Sequence, residues 1–392
     1  MLEEMCQEWQ KMRRGRVPIA GLIVLVPLLY TLLFGAVYSK NSVTDIPLVV
    51  LDEDQTTLSR QLIQVYADSE KFRIVHQTNR EEDTKEVLQN GTALAALEIP
   101  VGFQKDIETG RQPTAAFAVN SANNVFGNVA LLASWELNRT FSIAVGQKLL
   151  EGINILPGDA MDAAYPIHIG VRILGNPTAG FADFILAGLS ANGAQIGLMI
   201  TVTPLLTILL TQRKSASASA WKVMLGRLVP YFAVSFPALL LSLLLACGVF
   251  AVPMRGAWWQ VMVLSGSFLY FVLGVLMVFS VLSPDAVMAV QLPLFYIMPS
   301  ILYSGLSWPM ESMTAGTRLY AACMPMTYLA GTLRDVMLLG ASPDFWLSTG
   351  RMLLYGTICL LLAGAVFSWR WRRQMRLSKA TVKTGDDAPC ME

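Results

Sequence analysis

Four apolar runs decide the fold: FILAGLSANGAQIGLMITVTPLLTILLTQ (184–212), LVPYFAVSFPALLLSLLLACGVFAVPM (228–254), GAWWQVMVLSGSFLYFVLGVLMVFSVLSP (256–284) and AVMAVQLPLFYIMPSILYSGLSWPM (286–310). A hydrocarbon layer about 30 Å thick needs about 20 apolar residues per helix, and each run is at least that long. The breaks are short and of the right chemistry. Arg213 to Arg227 is polar and basic, Arg255 sits between Pro253 and Gly256, and Ser283-Pro284-Asp285 makes a tight turn. The sequence therefore predicts a polytopic membrane protein, and the rest of the chain attaches to this block.

Composition agrees. Of 392 residues, 54% are hydrophobic and 15% charged, with mean hydropathy +0.49, against about 25% charged in soluble domains. A net charge of +1 gives no basis for a nucleic-acid partner. The five cysteines are scattered without disulfide or zinc spacing, and two histidines leave little raw material for a metal site or a Ser/His/Asp triad. No G-x-x-x-x-G-K-[ST] occurs, so the chain carries no P-loop, and no cofactor is expected in it.

Working outward, residues 1–16 form an amphipathic segment. Leu2, Met5, Trp9 and Met12 recur at helical spacing with Glu3, Glu4, Glu8, Arg13 and Arg14 between them, which predicts a cytoplasmic helix lying flat on lipid. Residues 17–38 are uncharged and follow Lys11, Arg13, Arg14 and Arg16, as expected of a first spanning helix entered from the cytoplasm. The run is longer than a signal peptide's apolar core and ends in Val37-Tyr38-Ser39, so it is expected to stay attached.

Residues 39–180 have the composition of a soluble domain. Strands are predicted over 46–51, 72–75, 93–99, 114–119 and 165–173, and helices over 56–66, 81–88, 103–108 and 124–150, an alternation that makes a small α/β domain. Asp52-Glu53-Asp54 could bind a cation, but acidic residues closing a strand ahead of a helix N-terminus explain the cluster without one.

With a last helix over 352–369, six helices place the basic residues of the N-terminal arm, of 213–227 and of the tail 371–392 on one side, both ends cytoplasmic. The membrane domain then spans 181–370. Residues 311–351 are too long for a hairpin and too apolar for an ordinary loop. Two short helices around Pro325 are expected to re-enter the outer leaflet, with Glu311, Arg334 and Asp335 paired with one another, with the external domain or with a second subunit, because unpaired charge is costly.

At this point the chain resembles the permease subunits of bacterial type-2 ABC exporters that carry a large extracytoplasmic domain after the first helix. The resemblance rests on Tyr303-Ser304-Gly305-Leu306-Ser307-Trp308-Pro309-Met310, on Met324-Pro325-Met326-Thr327-Tyr328 and on Leu333-Arg334-Asp335 running to Gly340. It rests also on Glu8-Trp9 with Arg13 and Arg14, similar to an elbow helix, and on Leu51-Asp52 and Gly91-Thr92-Ala93 in the α/β domain. It implies a multi-pass protein of the bacterial inner membrane whose substrate pathway lies at a dimer interface. The implied partners are cytoplasmic P-loop ATPase subunits and a second permease chain, identical or paralogous, with a periplasmic adaptor as a further one and lipid around the whole. The ATPase-coupling residues would be Arg213, Lys214, Trp221, Lys222 and Arg227. The usual acidic, Gly-Thr-containing sequence is missing from this loop, so either docking differs or a paralogous chain carries it. A receptor or scaffold with an external binding domain is the alternative; it gives no reason for five further helices.

Overall fold

The computed structural model describes residues 1–14, 19–167, 172–177, 180–211 and 219–385, excluding the side chains of Arg14 and of 374–385. The chain divides into two compact units, residues 42–172 and the remainder.

The larger unit begins with α1 (Leu2–Arg14) and α2 (Ile19–Val37). The smaller unit then holds β1 (Ile46–Asp52), α3 (Thr57–Ala67), β2 (Phe72–Thr78), α4 (Glu81–Gln89), β3 (Ala95–Ile99), α5 (Phe103–Glu108), β4 (Ala116–Val119), α6 (Asn124–Gly152) and α7 (Pro157–Ala164). The sheet order is β2-β1-β3-β4, with β1 parallel to both neighbours and β4 antiparallel to β3. The central strand is apolar throughout because both its faces are covered. Ile46, Leu48 and Val50 pack with α3 and α6, and Val49 packs with Ala93 and Ala96 under α4. A closing strand over 165–173 does not form: α7 precedes it, Tyr165–Ile167 and Arg172–Ile173 carry no strand, and 168–171 lie outside the described residues.

The larger unit resumes with α8 (Phe181–Val202), α9 (Pro204–Thr211), α10 (Ala220–Val249), α11 (Trp258–Leu282), α12 (Ala286–Ile297), α13 (Ser300–Tyr303), a 3-10 turn (Met310–Ser312), α14 (Ala315–Ala322), α15 (Pro325–Leu339) and α16 (Phe345–Gly385). Among the described residues, six stretches are long and apolar enough to cross a membrane: Ile19–Val37, Phe181–Thr211, Ala220–Val249, Trp258–Leu282, Ala286–Tyr303 and Phe345–Arg373. Trp346 and Trp369 stand on one helix, roughly 35 Å apart at 1.5 Å per residue, and both are exposed, as interfacial aromatics at the two edges of a bilayer would be.

Three boundaries differ from expectation for physical reasons. The third span starts at Ala220 rather than 228, because a helix tolerates Lys222 and Arg227 in its first turns where they lie at the membrane edge. The last span starts at Phe345 rather than 352, so Arg351 stands on it. The second span breaks at Thr203-Pro204, where Pro204 has no amide hydrogen to give; the Ser280 hydroxyl takes the Leu206 amide at 3.0 Å instead.

The ends of the spans gather into two sets. At one, Asn41 donates to Asp183 at 2.9 Å and accepts the Ala182 amide at 3.0 Å, joining the end of α2 to the start of α8. The Arg255 amide donates to the Met337 carbonyl at 2.8 Å beside the Trp259–Phe345 ring contact. At the other end, α1 packs on the start of α10, and Arg370 donates to the Val281 and Ser283 carbonyls where α11 stops. Both termini of the larger unit therefore lie at one end of its helices.

Candidate functional site

The first cluster joins α1 to α10. Gly226 lets the N-terminus of α1 settle directly on α10: a Cβ there would stand 3.0 Å from the Met1 carbonyl oxygen and 3.1 Å from the Glu4 Cβ. The next residue, Arg227, forks between two carboxylates, with Nε and Nη2 each 3.1 Å from Glu4 Oε2 and Nη1 3.1 Å from Glu8 Oε2. Tyr231, one turn on, donates to Glu8 Oε1 at 3.2 Å, and Lys11 reaches Glu8 Oε2 at 3.3 Å. The guanidinium geometry suits this double acceptance, which a lysine would not reproduce.

The side of α1 that packs on α10 is acidic rather than apolar. Glu8 is 2% exposed and Met12 is buried, whereas Trp9 is 43% exposed and Leu2 also faces outward. The inward stripe is Glu4, Glu8, Met12 at four-residue spacing, because two carboxylates with a buried guanidinium between them satisfy one another better than an apolar stripe satisfies Arg227. Trp9 and Leu2 form the apolar outer stripe, and Arg13 is exposed. The side chain of Arg14 lies outside the described residues.

The coupling residues named from the sequence fall apart into four groups. Arg213 and Lys214 lie outside the described residues. Lys222 is exposed. Trp221 is not a free aromatic anchor: its ring fills the notch at Gly364 of α16, where a Cβ would stand 2.1 Å from its nearest atom. Arg227 serves the joint with α1.

The second cluster is at the opposite end. A cavity of roughly 730 Å³ opens between the start of α8, the segment 304–311, α15 and the first turns of α16. Pro325 is the first residue of α15 and starts that helix. Thr327, Gly331 and Asp335 then face the cavity along α15, Asp344 lines it just ahead of α16, and Ser348 and Arg351 line it from the first turns of α16. Arg334 lies 4.9 Å over the Phe184 ring and 3.5 Å from Asp335; Arg351 lies 6.0 Å over Tyr328. Glu311 lines the same cavity, is exposed, and forms no ion pair with Arg334 among the described residues.

Glu4, Tyr231, Asp344 and Arg351 were not singled out by sequence reasoning. The four-residue step from Glu4 to Glu8 carries a signal, whereas Asp344 and Arg351 fall at the end of the stretch 311–351 expected to re-enter the membrane.

The acidic cluster of the smaller unit is spent on the backbone. Asp52 accepts the amides of Asp54 and Gln55, and Asp54 accepts those of Gly102 at 2.8 Å and Gln104 at 3.0 Å. Burial opposes ionisation of Asp54, but its bonds from the Thr56 hydroxyl and these amides outweigh it and hold the carboxyl below the usual range.

Comparison with known proteins adds the following. A family model described as ABC-2 family transporter protein matches residues 20–365. Over 371 residues the chain is 25% identical to the probable multidrug ABC transporter permease YbhS of Escherichia coli (strain K12), covering 90% of each. It is 24% identical over 352 residues to the probable multidrug ABC transporter permease YbhR of the same organism, covering 86% of this chain and 90% of that one. ABC transporter G family member 20 of Dictyostelium discoideum is 22% identical over 272 residues, which is 68% of this chain and 36% of that protein.

Proposed function

Because the chain belongs to the ABC-2 family of transporter proteins, we propose that it is the membrane subunit of an ATP-driven exporter, works beside a second permease chain, and draws its energy from separate ATPase subunits. What carries the reading is the conjunction of six spans with the lack of any P-loop sequence. An ABC transporter runs on ATP, and a chain without a phosphate-cradling loop obtains that energy through contact with a partner. The same family reading extends to a multidrug substrate class, since YbhS and YbhR bear that description.

The contact surface we favour is the end of the bundle that carries α1 and Lys222. The joint between Arg227 and the two glutamates supports this choice, because a load on α1 reaches the third span through bonds near 3.1 Å rather than through a loop. Trp221 acts through its packing on α16, so its removal is expected to loosen that helix pair rather than to expose a docking defect.

The test is co-expression with a candidate ABC-transporter ATPase subunit, purification of the complex and reconstitution. Lys222→Glu combined with Arg213→Glu and Lys214→Glu should sharply reduce ATPase recovery while leaving the membrane subunit folded. Wild-type recovery in that triple variant would move the docking surface to the partner permease. Failure of any ATPase to co-purify with the wild-type chain would overturn the reading.

A further inference from the structure

The cavity opposite α1 has the volume of a site for a drug-sized molecule. Five charged side chains line it, and they do not balance. Arg334 and Asp335 are engaged with each other, and Arg334 also lies against Phe184. That leaves the carboxylates of Glu311 and Asp344 facing a single guanidinium, Arg351, which rests over Tyr328. Neither carboxylate nor Arg351 enters an ion pair among the described residues. A second, independent observation points to a missing ligand. Ser342, on the same wall, is 8% exposed, and its hydroxyl has no hydrogen-bond partner among the described residues. A buried hydroxyl left in this condition is unfavourable until something occupies the space before it.

We propose that this cavity binds an organic ammonium ion carried on an amphiphilic body. The carboxylates of Glu311 and Asp344 hold the charge, the Ser342 hydroxyl offers an acceptor, and Phe181 and Phe184 take the apolar body. Arg351 excludes a second positive charge from its side of the cavity. That the bound cation is cargo rests on the export reading above; that it binds does not. The ammonium group has two sources with the same chemistry: a soluble amphiphilic amine, or the ethanolamine head of a membrane lipid.

Binding is measured on the full-length chain in a non-ionic maltoside micelle, by titrating ethidium and following fluorescence anisotropy. Saturable binding is expected. Glu311→Gln with Asp344→Asn should raise the Kd at least tenfold, Ser342→Ala about threefold, and Arg351→Gln should leave it unchanged or lower it. Asn at 344 keeps a good residue ahead of α16, so Asp344→Asn alone serves if the double variant does not fold. Arg255→Gln, outside the cavity, is the control and should match wild type. Addition of phosphatidylethanolamine to the micelle assigns the source: displacement of ethidium supports a lipid head, and undisturbed binding supports a soluble amine. An unchanged Kd in both carboxylate variants overturns the proposal. Loss of binding in Arg351→Gln also overturns it, in favour of an anionic ligand. No ATPase enters the assay, so its outcome is separate from that of the export reading.

Discussion

At the scale of single residues, the Arg227 joint shows how a buried charge is tolerated. Its guanidinium and the Glu8 carboxylate are both almost fully enclosed, so each offsets the water the other has lost. Removing one partner leaves an uncompensated buried charge, which costs about 3–5 kcal/mol. Arg227→Met should lower thermal stability in detergent by an amount in that range, and Arg227→Lys by less. Adding Glu4→Gln and Glu8→Gln to Arg227→Met should restore most of the loss, because the orphaned charges are then gone. A melting series on the four proteins checks this, and no recovery in the triple variant would show that the fork contributes packing rather than charge pairing. In the smaller unit, Asp54 has its pKa held below the usual value, so the ion is better stabilised folded than unfolded. Its contribution is present above the unfolded pKa, about 4, and is lost as pH falls through the lower folded value. Asp54→Ala should speed hydrogen exchange at the Gly102 and Gln104 amides at neutral pH. In the wild type the same protection should fade only well into the acid range.

At the scale of elements, glycines set how closely the spans approach. α11 and α16 meet at Gly274 and Gly356: a Cβ on Gly274 would lie 2.8 Å from the Gly356 carbonyl oxygen, and one on Gly356 3.0 Å from the Phe271 Cα. Lipid tails are as apolar as the side chains, so spans associate by close packing rather than by hydrophobic exclusion. Gly274→Val should therefore part the two helices and cost about 1–3 kcal/mol by overpacking. Gly350, also on α16, has no neighbour within 4 Å of a built Cβ. Gly350→Ala should stabilise by about 0.5–1 kcal/mol, since it only removes backbone freedom. Thermal unfolding followed by tryptophan fluorescence separates the two, and equal effects would mean that the α11–α16 contact does not govern stability. Trp221→Ala belongs here too. It empties the notch at Gly364 and should cost about 2 kcal/mol, less than the 3–5 typical of a fully buried aromatic, with ATPase recovery retained.

At the scale of the whole molecule, both termini of the larger unit share one end of its helices, so the side on which they lie sets the side of everything else. Basic residues abut the first and last spans, and the family is one of membrane transporters. The expected arrangement has both ends in the cytoplasm and residues 42–172 outside. A cysteine placed at Gln112, exposed in the smaller unit, in an otherwise cysteine-free chain should react with an impermeant thiol reagent in cells whose outer membrane has been permeabilised. Labelling only after the inner membrane is lysed would invert the arrangement.

The sequence by itself determined the class of the protein. Runs of 20 or more apolar residues have one stable setting, the strand-helix alternation of the inserted unit follows from local periodicity, and the motifs from Tyr303 to Gly340 carried the family. These signals are local: each is complete within a few turns of chain. The orientation of α1 was not local. Its periodicity marked one stripe, Leu2–Met5–Trp9–Met12; that Glu4, Glu8 and Met12 turn inward was settled by Arg227, more than two hundred positions away, whose charge needs two acceptors. For the same reason Trp221 read as a free anchor until Gly364 of another helix supplied its pocket. The cavity is the extreme case. Its walls come from α8, the segment 304–311, α15, the connection with Ser342 and Asp344, and α16, and the excess of carboxylates over guanidinium groups exists only once those five pieces are brought to one place.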